Sequence, residues 1–129
     1  MRSELTWIEI SRDALRHNAR SIKKRIGSCA LYAVVKSNAY GHGMEETVKI
    51  LNRDSPVDGF AVVNLDEALS VVSCTAKPIL ILSFWQKDRQ LVQKAIRNNI
   101  RFPVYDVRSA RWLAAQARAI GKRTLAHLK

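Results

Sequence analysis

The sequence predicts an α/β fold built on a parallel sheet. Five short apolar segments recur along the chain, beginning at Leu31, Gly59, Pro78, Arg101 and Thr124. Their starts lie 28, 19, 23 and 23 residues apart, and one amphipathic helix fits each gap. Repeated βα units of this kind require parallel strands joined by right-handed crossovers. The pattern alone leaves open whether the sheet curls into a barrel or lies open as a doubly wound sheet.

Each element has a local reason. Thr6 to Ile10 alternates in character and reads as a short strand. Ser11 or Asp13 is placed to cap the first helix, whose apolar stripe is Leu15, Ala19, Ile22 and Ile26. Gly27 ends it. The first strand of the repeat runs from Leu31 to Lys36. Glu45 and Glu46 open a second helix, where acids suit the dipole, with Met44, Val48 and Leu51 inward. Gly59 to Val63 is the second strand. Asn64 and Glu67 form a capping-box-like start for a helix burying Ala68, Leu69 and Val72.

Pro78 to Ser83 is the third strand, continuously aliphatic from Ile79 to Leu82. Asp88 starts a helix carrying Leu91, Val92, Ala95 and Ile96, and Asn98-Asn99 stops it. Arg101 to Tyr105 is the fourth strand, although Pro103 is awkward in a central position. Asp106 caps a helix with Ala110, Leu113, Ala114 and Ala117 inward, ended by Gly121. Thr124 to Leu128 begins a fifth strand.

One stretch stands apart: Ala33-Val34-Val35-Lys36-Ser37-Asn38-Ala39-Tyr40-Gly41-His42-Gly43. Leu31 to Val35 are all apolar or aromatic, as in a strand buried on both faces. Lys36 follows directly, and Gly41 and Gly43 bracket a polar turn. The plain reading is a lysine whose stem covers the sheet edge while its charge reaches water. The alternative is a Schiff-base lysine. That chemistry needs a neutral amine, and apolar surroundings disfavour the ammonium form. Tyr40 could offer its hydroxyl to a phosphate, and a helix N-terminus after the strand would favour the same anion.

The stretch resembles the cofactor-attachment motif of the alanine racemase family, usually written AVVKANAYGHG, with Ser37 the only departure. Four further segments resemble the family in the same order: TWIEISRDALRHN (Thr6 to Asn18), GFAVVNLDEAL (Gly59 to Leu69), PILIL (Pro78 to Leu82) and AHLK (Ala126 to Lys129). The resemblance implies a pyridoxal 5'-phosphate enzyme with a (β/α)8, or TIM, barrel and a β-rich second domain, acting as a homodimer on a small amino-acid substrate.

A barrel of this type needs roughly 250 residues, and the chain has 129. It is therefore expected to be the N-terminal piece of a longer protein, a partial barrel cut after about five strands. Residues 1–10 would carry a strand that joins the C-terminal domain, and residues 11–129 the start of the barrel.

The resemblance also implies roles. Lys36 would hold the cofactor as an internal aldimine and act as one of two bases, because racemisation removes a proton from one face of Cα and returns it to the other. Tyr40 would bind the cofactor phosphate. Leu82 would pack near the cofactor ring. Lys129 stands where many members carry a carbamylated lysine that steadies a carboxylate-reading arginine. The second base is a tyrosine of the partner subunit's C-terminal domain, and Tyr32, Tyr40 and Tyr105 do not match its motif. His42 reads as part of a structural turn, His17 as a solvated helix residue and His127 as a core histidine. The alternatives are a racemase of serine, lysine or a broader set of amino acids, or a basic binding module without catalysis.

The charge balance, +11 with 22 basic against 11 acidic residues, invites a nucleic-acid reading. The charges argue against it. They lie on several helices (Arg16, Arg20, Lys23, Lys24; Lys94, Arg97; Arg108, Arg111, Arg118) without interleaved aromatic residues for base stacking. They read as solvated helix faces. Cys29 and Cys74 have no metal-ligand spacing and read as free thiols. MRSELTWIEI has no long apolar core, and no segment approaches the ~20 apolar residues of a membrane span. A cytoplasmic protein with no nucleic-acid or membrane partner and no metal is expected.

Overall fold

Five helix–strand pairs follow one another, a helix before each strand. The computed structural model describes residues 6–129. The order is α1 (Arg12–Ile26), β1 (Tyr32–Val34), α2 (Met44–Asn52), β2 (Gly59–Val62), α3 (Leu65–Val71), a short 3-10 turn (Val72–Cys74), β3 (Ile79–Ile81), α4 (Arg89–Arg97), β4 (Phe102–Val104), α5 (Val107–Ala119) and β5 (Ala126–Leu128). Every paired strand is parallel, as βα crossovers demand. The architecture is α/β, a partial barrel with helices outside the strands. Among the described residues no helix is long and apolar enough to cross a membrane.

The caps follow side-chain chemistry. The oxygens of Ser11, Asn64, Asp88 and Asp106 accept from the backbone N–H of Ala14, Glu67, Leu91 and Ser109. Each satisfies a donor that the first turn leaves without a partner. The core lies between strands and helices. Phe60, Val62, Ile79, Ile81, Phe102 and Val104 meet Val48, Leu51, Leu65, Ala68, Val71, Val92, Ala95, Ile96, Leu113 and Ala117. In α5 the inward residue beside Leu113 and Ala117 is Gln116, whose Oε1 accepts from Gln93 Nε2 at 3.3 Å; Ala114 is exposed.

The sheet is not one ladder. β1, β2 and β3 are continuous, and β4 pairs with β5, but β3 meets β4 only at Leu80–Arg101. Arg101 donates to Ile79 O and accepts from Ile81 N. Pro103 follows two residues on, without an N–H to extend that ladder. Its carbonyl instead accepts from the buried Trp85 indole at 2.8 Å. Trp85 packs edge-on to Phe102 at 5.4 Å, so a side chain closes the seam.

Several expectations are corrected. Thr6 to Ile10 forms no strand here, because no ladder partner for it lies within the described chain; Met1 to Leu5 fall outside the described residues. In α1 only Ala19 is buried, and Ile22 is 49 % exposed, since β1 is the edge of its sheet. His127 is exposed, not a core residue, because β5 is likewise an edge. The basic face of α1 is not simply solvated. Arg16 Nε donates to Ile50 O, and Arg20 donates to Asp54 O at 3.0 Å, near the C-terminal end of α2 where cations are favoured.

Lys23 has a second tie. Its ammonium pairs with Asp58 at 2.8 Å and donates to Cys29 O at 2.7 Å. Asp58 also accepts from Leu31 N at 2.7 Å and returns its own N–H to Leu31 O. The end of α1 and the entrances of β1 and β2 are thereby joined. The Leu31 amide, then Lys23, hold the Asp58 carboxyl below the usual carboxylate range.

Gly59 makes a close approach possible. A Cβ there would lie 2.5 Å from the Tyr32 ring and 2.8 Å from Pro78 O. The ring is fixed from its other end, where its hydroxyl accepts from Arg101 at 2.7 Å. Gly59→Ala is expected to destabilise the chain by about 1–3 kcal/mol, read as a lower denaturant midpoint; an unchanged midpoint would show that Tyr32 yields freely. Asp58→Asn is expected to lower the melting temperature at neutral pH. Folding favours the ionised form, so the contribution is complete above the ordinary value of ~3.9. It is lost as pH falls through the lower folded-state value. Melts recorded down that range should converge with wild type.

Candidate active site

The C-terminal ends of the strands gather the residues singled out from the sequence. Lys36 lies two residues past β1, Leu82 follows β3 directly, and Lys129 follows β5 directly. β2 alone separates β1 from β3, so the first two positions are about two strand spacings, roughly 10 Å, apart across the sheet. Lys129 and Leu82 are joined: the Lys129 ammonium donates to Leu82 O at 2.7 Å and lies 5.8 Å from the Tyr105 ring centroid. The Lys129 amide donates to Val104 O. Tyr40 lies beyond Lys36 and is 62 % exposed. Val34, on the strand leading to Lys36, is 43 % exposed, so this rim is an open surface in this chain.

The chain leaves β1 in an uncommon way. Val35 is buried and still bonded to β2 through Ala61 O at 2.8 Å, but its ψ of 14° ends the strand. Ser37, Asn38, Ala39 and Tyr40 then take φ of 53°, 56°, 53° and 55°. Ser37 to Tyr40 form one left-handed turn, not the right-handed helix expected to offer amides to a phosphate. Each such residue costs about 1–2 kcal/mol relative to the right-handed form.

Specific bonds hold this turn. Ala39 N donates to Val35 O at 2.8 Å, and Ala39 is buried. Asn38 O accepts from Gly41 N and Gly43 N, whose φ of 93° and 88° suit glycine. Asn38 Oδ1 accepts from Met44 N at 2.9 Å, serving as the side-chain cap that Gly43 cannot provide for α2. Ala39 O accepts from His42 N and lies 2.8 Å from His42 Nδ1, so the ring nitrogen there is the protonated one. His42 is a turn residue, and His17 is exposed beside Ser21.

Glu67 is the residue that sequence reasoning undervalued. Asn64 caps its amide as expected, but the Glu67 carboxylate does not close a capping box. Oε2 accepts from Val63 N and Oε1 from Ser37 N, both at 2.8 Å. The only signal in the sequence was the Asn64-x-x-Glu67 spacing, which points to the wrong partner. Lys36 is half-buried, and among the described residues its ammonium has neither an ion pair nor a hydrogen-bond partner. No group of three or more His, Cys, Asp or Glu that could hold a metal occurs among the described residues.

Asn38→Ala removes both a residue that tolerates the left-handed region and the cap of α2. It is expected to cost about 1–2 kcal/mol and to speed amide exchange at Met44. Wild-type exchange there would show that Asn38 does not hold the turn.

Comparison with known proteins agrees with this geometry. The family model "Alanine racemase, N-terminal domain" matches residues 10–129. The alanine racemase of Francisella tularensis strain SCHU S4 is 35% identical over 121 residues, covering 94% of this chain and 32% of its own length. That of Listeria innocua is 40% identical over 101 residues, covering 78% and 27%. The alanine racemase structure of Clostridium difficile 630 superposes with a TM-score of 0.88 at 29% identity, over 98% of this chain and 33% of that one. A histidine racemase of Leuconostoc mesenteroides superposes with a TM-score of 0.77 at 27% identity, over 91% and 31%. The chain spans about a third of the length of these relatives. With the motif around Lys36 at the strand ends and a match over nearly all its residues, the chain belongs to the alanine racemase N-terminal domain family.

Proposed function

We propose that this chain supplies the cofactor-anchoring part of a pyridoxal-phosphate-dependent alanine racemase. The observation that carries the reading is Lys36: an amine without a partner among the described residues, at the C-terminal rim where barrel enzymes assemble their sites. The donor set fits the cofactor. Lys36 offers an amine for its aldehyde, the exposed Tyr40 a phenol for its phosphate, and Leu82 an apolar wall for its ring. When bound, pyridoxal phosphate draws electrons from the substrate Cα and so acidifies its proton. Lys36 Nζ then takes or returns that proton on one face.

The opposite face needs a second base. Tyr32 is unsuited, since its hydroxyl is engaged by Arg101 toward the other end of the strands. The base is assigned to a tyrosine of the partner subunit in a full-length homodimer, with the segment before Ser11 joining the second domain. Lys129 is proposed as the carbamylated lysine; a carbamate keeps one N–H, which could still donate to Leu82 O. The reading places the enzyme in the cytoplasm, supplying D-alanine for peptidoglycan precursors. A second reading, a racemase of another amino acid, is favoured by the structural likeness to a histidine racemase.

Borohydride reduction of the cofactor-loaded full-length protein, followed by peptide mapping, is expected to place the pyridoxyl label on Lys36. Label on another lysine would sink the assignment. Residues 1–129 alone are expected to give no measurable conversion of L-alanine to D-alanine.

A further inference from the structure

The Ser37 amide raises a problem of satisfaction. It belongs to the peptide bond that leaves Lys36, and in a continuing parallel ladder it would point to a carbonyl of the neighbouring strand. The chain has already turned at Val35, and the carbonyl that the register would supply, Val63 O, is turned to the β3 side, where it accepts from Ser83 N at 3.0 Å. Within a left-handed turn the first N–H groups have no carbonyl behind them, just as at the start of any helix. A side-chain acceptor must serve, and it is the Glu67 carboxylate.

Glu67 is well placed for this. It sits in the first turn of α3, directly after β2, with its own amide fixed by Asn64. One carboxylate oxygen holds the end of β2 through Val63 N, and the other holds the exit of β1 through Ser37 N. Val35 N–Ala61 O fixes the chain on the other side of Lys36. The Lys36 Cα is therefore clamped from both directions. An ionised carboxylate is the fitting acceptor, because charge-assisted bonds are the stronger ones and both of its oxygens accept.

We infer that Glu67 is a positioning residue for the cofactor site. Its carboxylate fixes the backbone of Lys36 and the entry of the left-handed turn, and so sets the Lys36 amine against the Tyr40 phenol. This rests on the reading of Lys36 and Tyr40 as cofactor ligands. Glutamine at the same place keeps the size but offers an NH2 where an N–H must be received. One of the two amides then loses its acceptor.

The test compares Glu67→Gln with Asp88→Ala in the full-length protein. Asp88→Ala removes the cap of α4 on Leu91 N and touches neither Glu67 nor Ser37. Both are expected to lower the melting temperature. Only Glu67→Gln is expected to weaken pyridoxal phosphate binding to the apoprotein, on the order of tenfold, and to speed hydrogen exchange in the Lys36–Ser37 peptide. Wild-type cofactor affinity and exchange in Glu67→Gln would overturn the inference. So would equal loss of affinity in Asp88→Ala, which would make the effect one of stability alone. The exchange readout uses the apoprotein, so it stands even if reductive labelling falls on a lysine other than Lys36.

Discussion

The constraint on which the rest depends is the left-handed turn that follows Lys36. Four consecutive residues with positive φ, at about 1–2 kcal/mol each, would consume much of the ~5–15 kcal/mol by which a typical domain is stable. Such a turn persists only where its surroundings over-determine it. Here they do. The Glu67 carboxylate, Asn38 carbonyl and side chain, and Ala39 carbonyl each take backbone donors, and the Ala39 methyl is buried against the core. The result is a fixed backbone path from Lys36 to Tyr40.

The sheet shows where a partial barrel is most open. Among the described residues β1 and β5 are edges, and the surfaces beside them are exposed: Ile22 on α1, Val34 on β1, and Leu128 on β5 at 89 %. In a closed barrel each strand has two neighbours and each helix packs on the next. The same geometry explains why His127 and Ile22 read as core residues in sequence and yet lie exposed here. Their periodicity is that of a barrel element, and periodicity carries no information about which neighbour is present.

What the sequence made legible was local or repetitive. The caps Ser11, Asn64, Asp88 and Asp106 act within three residues of themselves, so residue type and spacing were enough. The strands were legible as aliphatic runs between breakers, and the rim position of Lys36, Leu82 and Lys129 followed from the βα repeat. What stayed hidden depends on distant partners. Lys23 looked like one more solvated cation until Asp58, 35 residues away, was brought to it by the first crossover. Gly59 looked like a strand start until Tyr32 and Arg101 were seen to occupy the space its missing side chain leaves. Glu67 matched a local motif so well that its bond to Ser37, 30 residues away, had no sequence signature at all.

Glu67 belongs to a smaller set of ties that carry the rim where the backbone ladders fail. Between β1 and β2 the ladder stops at Val35, and Glu67 takes over. Between β3 and β4 it stops after Arg101, because Pro103 has no amide to offer. There Trp85 reaches across to Pro103 O, and Lys129 reaches from β5 over β4 to Leu82 O. The positions assigned to the cofactor therefore sit on backbone held in part by side chains, beside ladder bonds such as Leu82 N to Val62 O and Lys129 N to Val104 O. Backbone held this way can be adjusted by one substitution or one change of charge without rebuilding a strand. Modification of the Lys129 amine is a case in point. It would act first on the Leu82 carbonyl, and through it on the apolar wall proposed to face the cofactor ring.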